Sequence, residues 1–203
     1  MRRRNTVIIF TRLPVLGTVK TRVARQIGAV AARTLHRRLV RRTLRRLAPD
    51  RRWRTVLAVT PERGRWREWP HALPRLSQGP GDLGRRMGHC LRACAGPRAV
   101  LVGTDIPDIS AAAVARAFRA LGRARFVFGP ARDGGYWLIG WRRLGAWPRG
   151  ALGQVRWSTP HALADSRASL GPRCAGVLVD WLDDLDTVEG PSAHPSQPSA
   201  TKG

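Results

Sequence analysis

Lysine is almost missing from this chain. Of thirty-seven basic residues only Lys20 and Lys202 are lysine; the others are arginine. Acidic residues are scarce too, thirteen against those thirty-seven, which leaves a formal net charge of +24. Such a balance raises the possibility of a phosphate-backbone footprint. The arginines, however, spread over the whole chain with no dominant run and no aromatic RNA-binding motif. They accompany abundant alanine, glycine and proline, the joint bias of a GC-rich coding sequence. An anionic small substrate is therefore the preferred reading, with nucleic acid as the alternative partner. Cysteine is short as well: Cys90, Cys94 and Cys174. An odd count builds no disulfide framework. Cys90 and Cys94, four apart, share a helix face. The histidines at 36, 71, 89, 161 and 194 do not cluster with them, so buried core thiols are favoured over a metal site. No apolar run approaches the ~20 residues of a membrane span. The basic start precedes only Val7-Ile8-Ile9-Phe10, too short for a signal h-region, and no small-residue cleavage site follows. The expectation is a cytoplasmic protein. Neither a Walker A loop nor a GxGxxG fingerprint is present.

What the chain does contain suits one domain over residues 1–189, with 43% hydrophobic residues to build its core. Residues 190–203 are dominated by Pro, Ser, Ala and His without periodicity and read as a disordered tail. Apolar runs at Thr6–Phe10, Thr55–Thr60, Ala99–Val102, Arg125–Pro130, Trp137–Trp141 and Gly176–Val179 read as strands, and Leu73–Ser77 as a short one. Between them lie helical patterns. From Val23 to Leu47 the positions Val30, Leu35, Leu39, Val40, Leu44 and Leu47 recur at helical spacing, with a possible break at Gly28. Further helices run from a cap at Asp82 to about Ala95, from Ser110 to Leu121, and from Ser158 or Thr159 with Pro160 near the first turn. Strands alternating with helices mean an α/β fold with a parallel sheet. Trp66 and Trp69 lie in a polar loop and read as lid or packing residues.

Five places carry candidate chemistry. The first strand runs into Thr11–Arg22, where Arg12, Lys20 and Arg22 precede a helix and Gly17 supplies a turn, the makings of an anion site. The stretch Gly79–Met87 holds Gly81, Asp82 and Gly84, where backbone can approach a ligand closely. Ala99–Val102 ends in Gly103-Thr104-Asp105-Ile106-Pro107, which puts Asp105 at the carboxyl edge of a parallel sheet, where open α/β folds bind ligands. Pro107 stops the strand. Asp133-Gly134-Gly135-Tyr136 reads either as a plain hairpin turn or as a second carboxylate emerging at a sheet edge in a strand–helix–strand unit. Finally Asp180, Asp183, Asp184 and Asp186 crowd into an otherwise arginine-rich chain, oxygen ligands of the kind hard divalent cations prefer.

The order F-T-R-x-P-x-x-G-x-x-K-T-R, Q-G-x-G-D-L-G-x-R-M, G-T-D-I-P, G-P-A-x-D-G-G-Y, W-S-T and D-x-D-T resembles the DUF2064 family of GT-A-like transferases, across about Val7 to Thr187. That family is similar in fold to nucleotide-diphospho-sugar transferases and to nucleotidyltransferases. The resemblance implies a three-layer α/β sandwich around a mostly parallel sheet. It implies a glycosyltransferase-like enzyme with a nucleotide-sugar or NTP donor, a small-molecule acceptor and Mg²⁺ or Mn²⁺. Arg12, Gly17, Lys20 and Arg22 would hold nucleotide phosphates, with Gly81, Asp82 and Gly84 near the base or ribose. Asp105, Asp184 and Asp186 would ligate the metal. Asp105 and Asp133 would be catalytic, and Gly134, Gly135 and Tyr136 would line the acceptor side. The chain has Ile106 where the family usually has serine, and Glu189-Gly190 in place of its closing acidic pair. Its first loop lacks the Gly-rich form of nucleotidyltransferases, which favours sugar transfer over nucleotidyl transfer.

Overall fold

A computed structural model describes residues 4–62, 69–70, 72–174 and 176–183. Its seven strands are β1 (Asn5–Arg12), β2 (Trp53–Thr60), β3 (Arg75–Ser77), β4 (Arg98–Val102), β5 (Phe126–Pro130), β6 (Tyr136–Arg142) and β7 (Val177–Leu178). They form one sheet in the order β3-β2-β1-β4-β6-β5-β7. All neighbours are parallel except around β6, which runs antiparallel to both β4 and β5. The helices are α1 (Thr21–Ile27), α2 (Ala29–Leu47), α3 (Leu83–Ala93), α4 (Ala111–Ala120) and α5 (Ala162–Ser169).

The strands are apolar on both faces because both are covered. On β1 and β4, Val7, Ile9, Val100 and Val102 pack with Val40 and Leu44 of α2 and Val114 and Phe118 of α4. The alternate residues Ile8, Ala99 and Leu101 pack with Met87, Cys90 and Leu91 of α3. The period-two alternation of side chains thus builds a three-layer sandwich around a mostly parallel sheet. Cys90 and Cys94 are both buried in the second layer, as core thiols. Trp69 is buried in the first layer as a packing residue, and Trp66 lies outside the described residues.

Three local expectations need correction. Gly28 at φ +84° does split the long helix, but Val30 is 70% exposed and Leu35 half-buried. The face that α2 buries is Ala32, His36, Leu39, Val40, Thr43, Leu44 and Leu47. Val30 and Leu35 both lie within α2 itself, and at the ~100° per residue of a helix they fall on either side of the stripe centred on His36 and Thr43, so spacing alone drew the apolar face too wide. Asp133 lies in a β5–β6 hairpin and not in a strand–helix–strand unit. The last helix starts at Ala162, because the Thr159 hydroxyl accepts from the His161 N–H at 3.2 Å and closes a turn there instead of capping a helix. Asp180 and Asp183 are ion-paired with Arg116 and Arg132, at 2.6 and 3.2 Å. Among the described residues no helix is long and apolar enough to cross a membrane.

Candidate active site

The chain lays down β1, moves outward through β2 to β3, then returns to place β4 on the other side of β1. At that reversal the loops after β1 and β4 diverge and leave a crevice beyond the strands' carboxyl ends. A cavity of about 490 Å³ occupies it. Arg12 enters from the end of β1, Lys20 and Arg22 from the start of α1, and Arg86 from α3, while Asp105 enters from the loop after β4. The expected phosphate-loop cations are therefore brought together on one wall. Since α1 has only seven residues, side-chain charge rather than a helix dipole sets the potential.

Two polar ties hold this mouth. Thr11 and Thr104 share a hydroxyl hydrogen bond at 3.1 Å, linking the end of β1 to the loop after β4. The buried Gln78 amide donates to the carbonyls of Thr11 and Ala58, at 2.9 and 2.7 Å. Its oxygen accepts from Arg86, whose guanidinium lies over the Phe10 ring at 5.6 Å. Burial and then the neighbouring Arg12 charge lower the Arg86 pKa from its usual value. Two guanidinium groups sharing a cavity leave that cavity in want of an anion.

Asp105 stands between Lys20 and His36. Its Oδ2 is 3.3 Å from Lys20 Nζ and its Oδ1 is 3.8 Å from His36 Nδ1. The His36 Nε2–H donates to the Arg12 carbonyl at 3.1 Å, which orients the ring. Burial raises the Asp105 pKa, but the adjoining His36 ring and the Lys20 charge more than offset it, and the carboxyl is held below the usual range. The Asp105 side chain is 41% exposed, yet Oδ1 is sealed from solvent without a hydrogen-bond partner. Mg²⁺ and Mn²⁺ need only one or two protein carboxylates when substrate phosphates and water complete the shell. Asp105 would fit that role. Among the described residues no group of three or more His, Cys, Asp or Glu side chains could hold a metal by itself. Asp184 and Asp186 lie outside the described residues.

A second cavity, of about 220 Å³, opens off the first; Leu83, Gly103, Asp105 and Ser158 line both. Asp133, Gly135 and Tyr136 line it. Asp133 Oδ1 accepts from the Gly135 N–H at 2.8 Å. The Tyr136 hydroxyl is bonded to Ser166 at 3.2 Å and burial pushes its pKa up, so the ring is wall and the phenol stays protonated. Gly134 serves packing: a Cβ there would stand 2.1 Å from the Pro160 carbonyl oxygen. A Cβ on Gly84 would likewise collide with the Leu152 carbonyl oxygen, and Asp82 caps α3 by accepting from the Arg85 N–H at 2.8 Å. Gly17 turns the first loop at φ +77°. None of Gly17, Gly81, Asp82 and Gly84 lines either cavity; from that stretch Leu83 and Arg86 do.

His36, Arg86 and Ser158 were not singled out as site residues from the sequence. His36 reads as one more helix position and Arg86 as one arginine among many. Ser158 carried a weak signal in W-S-T. It sits at φ +61°, a left-handed conformation that costs a serine energy.

Fold and cavity together define a doubly wound α/β protein with a cationic ligand crevice at its switch point. The model of the family DUF2064, described as an uncharacterized protein conserved in bacteria, matches residues 43–159, and this chain belongs to that family. Among solved structures it is similar to a candidate nucleotide-diphospho-sugar transferase from Desulfovibrio desulfuricans G20. The two are 27% identical with a TM-score of 0.75, over 91% of this chain and 83% of the other. This chain therefore has the nucleotide-diphospho-sugar transferase fold. A far weaker likeness, to 2-C-methyl-D-erythritol 4-phosphate cytidylyltransferase from Thermus thermophilus, has 18% identity, a TM-score of 0.32 and coverage of 64% and 54%. No curated protein matches the chain.

Proposed function

We propose that this protein is a metal-dependent glycosyltransferase-like enzyme that moves a sugar from a nucleotide-activated donor to a small-molecule acceptor. The observation that carries this reading is the convergence of Arg12, Lys20, Arg22 and Arg86 on the crevice at the switch point, with Asp105 at its junction with a second cavity. The cations would bind the donor's diphosphate and stabilise the charge that develops on it as it leaves. Asp105 would hold Mg²⁺ or Mn²⁺, with Asp184 and Asp186 as further candidate ligands; the ion would supply charge neutralisation at the diphosphate. His36 fixes the Asp105 carboxylate from behind. Asp133, with Oδ1 bonded to Gly135, has Oδ2 left to take the acceptor's proton as general base. The likeness to the Desulfovibrio protein supports a nucleotide-sugar donor in this crevice.

Thermal unfolding in the presence of nucleoside diphosphates, triphosphates and nucleotide sugars, with and without Mn²⁺, tests the donor site. A ligand at a hundred times its Kd adds ~2.7 kcal/mol, or roughly 5–10 °C in Tm for a domain of this size. The expected shift needs both Mn²⁺ and Asp105, and disappears in Asp105→Asn. Turnover releasing a nucleoside diphosphate is the expected chemistry. Released pyrophosphate would replace sugar transfer with nucleotidyl transfer. A salt-sensitive shift with DNA or RNA alone, indifferent to Asp105, would replace the enzyme reading with a basic nucleic-acid binder.

A further inference from the structure

The two joined cavities differ in charge as sharply as in shape. Arg12, Lys20, Arg22 and Arg86 line the first. Among the described residues the only charged side chains lining the second are Asp105 and Asp133. In a chain with thirty-seven cationic residues against thirteen acidic ones, a wall without any cation is the unexpected outcome. The arginines beside that wall in sequence, Arg132 and Arg156, are drawn off it into ion pairs with Asp183 and Asp165, at 3.2 and 2.8 Å. The rest of the wall is apolar or aromatic, chiefly Met87, Ile106, Trp137 and Trp157.

An acceptor entering here exchanges water for that wall. A phosphate or carboxylate would lose hydration beside Asp133 and an Asp105 already paired with Lys20, with no cation on this wall to receive it, which opposes its binding. An uncharged ring would gain from burial against Trp137, Trp157, Met87 and Ile106. A volume of about 220 Å³ admits one compact ring system. We propose that the second cavity takes an uncharged, compact ring compound carrying a hydroxyl group, and excludes acceptors that carry phosphate or carboxylate. The inference rests on the second cavity being the acceptor side of a transferase. In the transfer, the acceptor oxygen forms the bond to the sugar's anomeric carbon. The anomeric carbon–phosphate oxygen bond breaks with its electron pair going to the departing nucleoside diphosphate. The hydroxyl proton passes to Asp133.

Calorimetric binding to the full-length protein tests this with a matched pair of probes, β-naphthol and β-naphthyl phosphate. Saturating pyrophosphate keeps the phosphate ester out of the cationic cavity. The naphthol is expected to bind at least about tenfold more tightly than its phosphate ester, the effect of one partly buried like-charge encounter. Leu83→Arg adds a cation at the shared mouth, at a position already 38% exposed, and is expected to erase or reverse that preference. Asp133→Asn is expected to narrow it. Equal or tighter binding of the phosphate ester by the natural protein overturns the proposal. So does a preference that neither substitution changes, or no naphthol binding at all. Failure of pyrophosphate to bind would instead count against the donor site, while the naphthol comparison would still judge the acceptor class.

Discussion

Ser158 lines both cavities and holds φ at +61°, a conformation that costs an L-residue ~1 kcal/mol or more. Strain of that kind persists where the surroundings over-determine it. The segment carrying Ser158 is pinned on both sides, through Leu152 and Trp157 against Gly84 and through Pro160 against Gly134. Ser158→Gly removes the penalty, so its urea midpoint is expected to rise, by an amount equivalent to roughly 0.5–1 kcal/mol. An unchanged or lower midpoint would mean that the serine is not strained there. Single residues were legible in the sequence wherever a strand end exposed them. Asp105, Arg12, Lys20 and Arg22 follow short apolar runs, and the sheet's carboxyl edge sends them to one crevice. His36, Arg86 and Ser158 were not legible as site residues. What makes each of them part of the site is a neighbour far off in the chain, as in the contact of His36 with the Arg12 carbonyl 24 residues away, or a place in a cavity built by other segments.

At the scale of elements, α3 shows how differently adjacent residues can matter. Asp82 caps it through the Arg85 N–H. Asp82→Ala is expected to cost ~1 kcal/mol, the ordinary value of an N-cap. Gly84, two residues on, has its Cα pressed to the Leu152 carbonyl, so a methyl would sit 2.0 Å from that oxygen. Gly84→Ala is expected to cost more, ~2–3 kcal/mol, because backbone must move to admit it. Denaturant titration of the two variants checks the order; equal costs would show that the helix and the 150–157 segment are not tightly docked. The cap was readable from Asp82 standing before an amphipathic run. The contact was not, because Leu152 is brought to Gly84 by the tertiary fold alone. The same distinction holds for α2, where Val30 and Leu35 are apolar at near-helical spacing but lie off the face that packing buries.

For the molecule as a whole, a net charge of +24 is a self-repulsion term that any salt relieves by screening. The crevice adds a specific term, since an anion seated among Arg12, Lys20, Arg22 and Arg86 binds only the folded state. Inorganic phosphate is therefore expected to raise the Tm further than chloride at equal ionic strength. The excess should vanish in a Lys20→Ala/Arg22→Ala double variant while the common screening effect remains. Equal shifts with both salts would mean that the arginines act only as a diffuse cloud.

Much of this protein followed from the chain itself. Short β-branched and apolar runs separated by helical patterns imply a covered parallel sheet, and Pro107 and the glycine turns place its strand ends. The order of motifs carries the family. Tertiary structure alone decided the rest. Only the return of β4 to the far side of β1 opens a crevice between the loops that follow them. Only the antiparallel insertion of β6 between β4 and β5 carries the hairpin that bears Asp133 to the same edge as Asp105. Only three-dimensional packing sorts an arginine-rich chain into one cavity lined by cations and another without them, because ion pairs form between groups that no local spacing relates.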